Sequence, residues 1–144
     1  MWRFLAFAFP FLLLYLSSAG CTHFSDVLPE PEKATQVFDA NEKVILKAIT
    51  RVLKDRGFGE ARVEADQGRL ETDYVVQGNW RTKVVATVKK TSRRESEVTL
   101  SLITEQKSSA SSPWQSKNLA GREQYERLFQ EIEMQIYREW ARPE

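Results

Sequence analysis

The stretch KVVATVKKTSRRESEVTLSL, residues 83–102, decides the fold of this 144-residue chain. Apolar residues alternate with polar ones on both sides of a charged segment; they are Val84, Ala86, Val88, Val98, Leu100 and Leu102. Every second residue of a strand points to the same face of a sheet. The stretch therefore predicts two strands joined at residues 92–95, with one apolar face and one polar face.

A similar pattern precedes this hairpin. Val63 and Ala65 alternate with charged residues, and the turn sequence Asp66-Gln67-Gly68 follows them. A second alternating run comes after the turn; its members are Leu70, Thr72, Tyr74 and Val76. Two short alternating runs around a glycine-containing turn predict another hairpin.

A helix is predicted on each side of these strands. Asp39 with Glu42 three residues later resembles a capping box, and Gly57 provides a stop signal. Between them, apolar residues recur at three- and four-residue spacing, as they do near the C-terminus in Tyr125, Leu128, Phe129, Ile132, Ile136 and Trp140. The predicted fold is α+β, a two-layer sandwich in the order α-β-β-β-β-α, with a four-stranded antiparallel sheet packed on two helices.

The N-terminus has the pattern of an export signal. One arginine, Arg3, precedes the apolar run from Phe4 to Leu16, and small residues follow at Ser17–Gly20. Such a charged start, apolar centre and small-residue end are typical of a secretory signal peptide. Thirteen helical residues are too short to span about 30 Å of hydrocarbon, so a permanent transmembrane helix is disfavoured.

The end of this segment, Ser18-Ala19-Gly20-Cys21, resembles the lipobox of bacterial lipoproteins in its last three positions. The resemblance implies that Cys21 is lipidated and becomes the first mature residue. The alternative is ordinary cleavage after Ala19, which would leave a lone reactive thiol. The single histidine, His23, is then interpreted as a solvated linker residue.

These observations divide the chain into a signal peptide at 1–20, a lipid-anchored tether at 21–38 and one α+β domain at 39–144. Removing residues 1–20 removes one arginine and no acid, which leaves 20 basic and 20 acidic residues. A formally neutral mature chain gives no indication of nucleic-acid binding.

Two segments carry a further resemblance: the helix end Leu53–Phe58 and the hairpin Glu64–Thr72. They resemble lipoprotein subunits typified by the C component of the outer-membrane β-barrel assembly machine, which carry helix-grip domains behind a tether. The predicted architecture is also similar to that of the small lipoprotein that plugs the lipopolysaccharide export barrel. These resemblances imply a helix-grip-like domain and a role in envelope biogenesis.

No catalytic or metal-binding pattern is found. A single cysteine and a single histidine provide neither a dyad nor a zinc cluster, and no phosphate-binding glycine motif is present. One charged segment is a candidate contact for an anionic surface or a partner; its residues are Trp80, Arg81, Lys83, Lys89, Lys90, Arg93 and Arg94. The alternative is a charged face that keeps the sheet soluble. Trp80 either closes the edge of the core or anchors an interface.

We therefore expect a non-enzymatic lipoprotein subunit of a cell-envelope complex, without cofactors, acting as a scaffold or accessory component. It would lie on the periplasmic face of the outer membrane, held there by its lipid and by a protein partner. The alternative function is a lipid- or lipopolysaccharide-binding periplasmic module.

Overall fold

The structure, a computed structural model, describes residues 32–142. It contains two helices, α1 at Glu42–Asp55 and α2 at Arg122–Trp140. Seven strands form the sheet: β1 Lys33–Phe38, β2 Arg62–Glu64, β3 Arg69–Glu71, β4 Val75–Gln77, β5 Trp80–Lys90, β6 Ser96–Gln106 and β7 Gln115–Lys117. A single 3-10 turn, Ala65–Gln67, joins β2 to β3.

The hairpin of β5 and β6 forms the centre of the sheet. The two strands pair antiparallel over eleven positions, from Trp80 opposite Gln106 to Lys90 opposite Ser96. The strand order is β1-β6-β5-β3-β2, with β4 also paired to β5 and β7 to β6. The predicted hairpin of residues 83–102 and the predicted hairpin around Gly68 are both confirmed.

The predicted four strands and the order α-β-β-β-β-α are wrong, because the sheet has seven strands and the first element is a strand. The chain enters the domain on a strand, because β1 lies inside the segment 21–38 that was predicted as a tether. All six residues of β1 pair antiparallel with β6, from Lys33 opposite Ser101 to Phe38 opposite Ser96. Without β1, the long strand β6 would expose a row of unpaired backbone groups, which β1 satisfies.

The predicted alternation after Gly68 also stops earlier than expected. Leu70 and Thr72 are buried, but β3 ends at Glu71 and β4 begins only at Val75. The irregular residues between them reset the alternation. Tyr74 therefore reaches the outer face of the sheet, and Val76 is exposed. The predicted second strand is thus divided into β3 and β4, and β7 is an additional strand that the prediction did not include.

Both helices pack on the inner face of the sheet and on each other. The core contains the predicted inward residues of β5 and β6 except Leu102, which is partly buried and packs against it, together with Ile45, Ile49, Phe129 and Ile132. The rings of Phe38 and Phe129 lie 6.0 Å apart and join β1 to α2. Arg56 donates two hydrogen bonds of 2.7 Å to Glu131, which ties the end of α1 to the middle of α2.

The termini of α1 follow local capping rules, with one correction. Asn41, not Asp39, caps the helix, and its Oδ1 accepts a hydrogen bond of 3.0 Å from the backbone of Val44. At the other end, Gly57 has φ +88° and Phe58 donates to the carbonyl of Leu53. This is the Schellman arrangement, in which glycine accepts the left-handed conformation.

Tyr125 connects three parts of the fold through its hydroxyl. That group accepts a hydrogen bond of 3.0 Å from the backbone N–H of Leu102 and donates one to the carbonyl of Glu32. It thereby fixes the entry of β1 against β6. The predicted buried stripe of α2 is confirmed as far as Ile136, but Trp140 is 49% exposed and lies outside the core.

Candidate functional site

The predicted basic segment does not form one surface. Arg81, Lys83 and Lys89 lie on the outer face of β5, whereas Lys90 lies on the face that carries the helices, because successive residues alternate. Lys89 lies six positions after Lys83, which corresponds to about 20 Å along the strand. Arg93 and Arg94 lie in the turn between β5 and β6. The segment therefore divides into three: Arg81, Lys83 and Lys89 on the outer face, Lys90 on the inner face, and Arg93 and Arg94 in the turn.

Arg81 is held in a cluster on the outer face. Its guanidinium donates to Glu105 and lies 4.2 Å from the centre of the Tyr74 ring and 4.6 Å from that of Trp114. Tyr74 donates a hydrogen bond of 3.1 Å to the same carboxylate. Burial, and then this hydrogen bond, raise the pKa of Tyr74 above its usual value.

Lys83 is neutralised in the same region. Its ammonium donates to Glu71 at 2.6 Å, and Arg69 donates to the other oxygen of that carboxylate at 2.9 Å. The hydrogen bond from Lys83, followed by that from Arg69, lowers the pKa of Glu71 to about 2. Arg81 and Lys83 therefore already have carboxylate partners, and neither side chain is free to contact an anionic surface.

Trp80 lies on the inner side of the sheet, below the end of α1. It is half-buried and borders a shallow cleft with Gly57 and Phe58. This position separates Trp80 from Arg81 and Lys83, which lie on the opposite face of β5.

Lys90 and Arg93 meet a second set of cations that the sequence analysis did not identify. Lys90 and Arg93 line a groove of about 920 Å³ together with cationic residues of α1. The α1 cations are Lys43, Lys47, Arg51 and Lys54, and all four are exposed. We call this feature the basic groove. Lys89 and Arg94 do not line it.

A signal for the α1 cations was present in the sequence. Residues four apart lie on one face of a helix, and Lys43, Lys47 and Arg51 have this spacing. The apolar stripe of the same helix predicted only which face is buried. Its opposite face carries the cations, and only the fold brings that face near Lys90 and Arg93.

Cys21, the predicted lipidation site, lies outside the described residues. Within residues 32–142, neither helix is long and apolar enough to cross a bilayer. The same part of the chain holds no group of three or more acidic, histidine or cysteine side chains arranged to bind a metal ion. No protein-family model matches the chain, and no curated protein matches its sequence.

Proposed function

We propose that the chain is a non-enzymatic lipoprotein subunit of a bacterial cell-envelope complex, a scaffold or accessory component with a helix-grip-like domain. Its lipid on Cys21 would hold it on the periplasmic face of the outer membrane. The first strand begins at Lys33, twelve residues after Cys21. An extended chain of that length reaches about 40 Å. The proposal thus places the domain close to the bilayer and to membrane-embedded partners.

The observation that carries the proposal is an exposed apolar face on α2. Met134, Tyr137 and Trp140 recur at three-residue spacing and are 52%, 58% and 49% exposed. The rings of Tyr137 and Trp140 meet edge-to-face with centroids 5.6 Å apart. Tyrosine and tryptophan are enriched among the residues that dominate protein interfaces. This face, on the outside of a helix whose other face fills the core, supports contact with a protein partner.

The test uses the full chain produced in a bacterium and extracted in mild detergent. Intact-mass analysis should show an acylated Cys21, and Cys21→Ala should release the protein from membranes or block its processing. Partners that co-purify with the wild type should be lost from the double variant Tyr137→Ala/Trp140→Ala. Leu119→Ala is the matched control, because Leu119 is also an exposed apolar residue, at 56%.

Two results would contradict the proposal. An unmodified thiol at Cys21 in the mature protein would remove the membrane anchor. Equal amounts of the same co-purifying proteins with the wild type and the double variant would show that the α2 face is not the interface. Circular dichroism of the variants should match the wild type, since both aromatic side chains lie largely outside the core.

The alternative function, a lipid- or lipopolysaccharide-binding module, is favoured by a different observation. The basic groove combines a volume typical of small-molecule sites with a strongly cationic rim. It lies beside α1, not between α2 and the sheet, where Tyr125, Phe129 and Leu100 fill the interior.

A further inference from the structure

Four parts of the chain form the walls of the basic groove. One is the exposed side of α1, with Lys43, Lys47 and Arg51 on successive turns. Val63 of β2 and Ala65 of the 3-10 turn belong to a second wall. The end of β5 and the turn after it contribute the third, with Lys90 and Arg93. Glu139 of α2 and Arg142 belong to the fourth, so the concave surface is built from four separate parts of the chain.

The lining of the groove is apolar in part. Leu46 is almost completely covered by its neighbours, whereas Val63 is 44% exposed. Ala65 is also exposed. An isolated exposed valine on an edge strand would need no explanation. Here Val63, Ala65 and Leu46 line one groove, so a hydrocarbon chain lying there would cover apolar surface mainly on β2 and the 3-10 turn, and would also meet the small exposed part of Leu46.

The rim of the groove is cationic beyond what its own acids balance. Glu60 pairs with Lys54, and Glu139 pairs with Arg142 at 3.5 Å. Among the described residues, five lining cations have no ion pair; they are Lys43, Lys47, Arg51, Lys90 and Arg93. Glu42 is the one lining carboxylate left to balance them.

This arrangement is unfavourable for the isolated domain. Like charges four residues apart on a helix repel each other, and Lys43, Lys47 and Arg51 are three such charges in a row. Lys43 also lies in the first turn of α1, where the helix dipole disfavours cations. A bound anion would relieve both effects.

We propose that the basic groove binds an amphiphile with a phosphate headgroup, with the headgroup among the α1 and turn cations and the alkyl chain against Leu46, Val63 and Ala65. The inference rests on the alternative function, a lipid-binding module, and specifies its ligand and site. A concave groove with an apolar lining favours a single bound molecule over contact with a flat bilayer or with nucleic acid. Several cations around one headgroup match the charge of a phosphate.

The test uses ¹⁵N-labelled chain from residue 22 onward, which keeps every helix and strand described above. Dodecyl phosphate, kept below its micelle concentration, should shift the amide signals of α1, β2 and the β5–β6 turn. Inorganic phosphate should bind at least about tenfold more weakly, since it gains nothing from the apolar lining. Vesicles containing phosphatidylglycerol form a third arm, which detects binding to a membrane surface.

Two matched pairs of variants locate the site. Lys47→Glu/Arg51→Glu should weaken binding of dodecyl phosphate about tenfold. Lys89→Glu/Arg94→Glu, with the same change in charge outside the groove, should change it less than about twofold. Val63→Ser should weaken binding of dodecyl phosphate but not of inorganic phosphate. Val76→Ser, an exposed valine elsewhere on the sheet, should change neither.

Four outcomes would overturn the inference. Equal affinity for inorganic phosphate and dodecyl phosphate would show an ion site without use of the apolar lining. Binding to vesicles but not to monomeric dodecyl phosphate would show a membrane-surface contact. Binding of dodecyl phosphate that is insensitive to both groove variants would place a lipid site elsewhere, so the lipid-binding function would survive and this assignment would fail. No binding of any lipid probe would contradict the lipid-binding function itself.

Discussion

Replacing Tyr125 with phenylalanine removes one hydroxyl and tests how the first strand is held in the sheet. The ring is 2% exposed and packs in the core, so the substitution keeps its apolar contacts. The lost hydroxyl bridges the N–H of Leu102 and the carbonyl of Glu32. These two groups lie just beyond the last pair of β1 and β6, Lys33 opposite Ser101.

The expected cost follows from the two groups left without that partner. A typical hydrogen bond contributes about 0.5–1.5 kcal/mol, and a buried group left unsatisfied costs about 1–3 kcal/mol. Both bonds are only partly buried, so water can replace part of what is lost. We therefore expect Tyr125→Phe to lower the free energy of unfolding by about 1–2 kcal/mol. For a domain near 100 residues, each kcal/mol corresponds to a fall in Tm of about 4–8 °C.

Urea unfolding followed by tryptophan fluorescence measures this change, and hydrogen exchange of the Leu102 amide reports where it occurs. Tyr137→Phe is the control, because Tyr137 is 58% exposed and has no hydroxyl hydrogen bond among the described residues. The Leu102 amide should exchange faster in Tyr125→Phe while amides in the middle of the β5–β6 pairing follow the global stability. Equal urea midpoints for the two variants, with unchanged exchange at Leu102, would refute the reasoning.

The pH dependence provides a second check on the same residue. Burial is the main cause of the raised pKa of Tyr125 in the folded protein. The unfolded chain therefore loses the proton first as the pH rises past about 10, and the stability of the wild type falls in that range. Phenylalanine cannot ionise, so Tyr125→Phe should lose less stability above pH 10 than the wild type does.

Two further predictions concern a turn and an ion pair. Gly68→Ala should destabilise the domain by at least about 2 kcal/mol in a urea titration, because Gly68 has φ +59° and an added Cβ would collide with the carbonyl of Val88. Gly78→Ala should cost only about 1 kcal/mol, since Gly78 has φ +63° but open space around it; equal costs would contradict the role of the collision. The stabilisation from ionised Glu71 should be present above about pH 4.5 and disappear as the pH falls towards 2, because its pKa is lowered to about 2 in the folded state. The urea midpoints of the wild type and Glu71→Gln should therefore converge over this range, and a constant difference would show that the contacts of Glu71 do not depend on its charge.

Periodicity predicted the elements that carry the core. The alternation in residues 83–102 predicted the β5–β6 hairpin, and the three- and four-residue spacing predicted α1 and α2. Both signals are strong because each element buries one face over several turns or positions. The α+β class, with an antiparallel sheet and two helices, followed from them.

Other features depend on tertiary contacts that periodicity does not encode. In β1 the burial of the side chains alternates, but Gln36 is on the covered side and Val37 on the exposed side, so the sequence shows little apolar alternation. The segment is a strand because β6 offers a free edge. Because β1 precedes α1, the order of elements differs from the predicted one and the domain starts before the predicted residue 39. Trp140 continues the apolar spacing of α2, and the spacing therefore predicted that it is buried. It lies past the end of the core and is half exposed.

The candidate site shows the same limit more sharply. Closeness in sequence suggested that the cations from Arg81 to Arg94 share one surface. Pairing between strands, however, places Glu71 beside Lys83 and Glu105 beside Arg81. A local count of charges cannot include these acids, which lie 12 and 24 residues away from their partners. The groove cations without an ion pair belong to two distant segments, α1 and the stretch from the end of β5 into the following turn, and they meet only because α1 packs over β5. A chain that is formally neutral after residue 20 can therefore carry a strongly cationic groove, since most of its acids, such as Glu64, Glu97 and Glu133, do not line that groove.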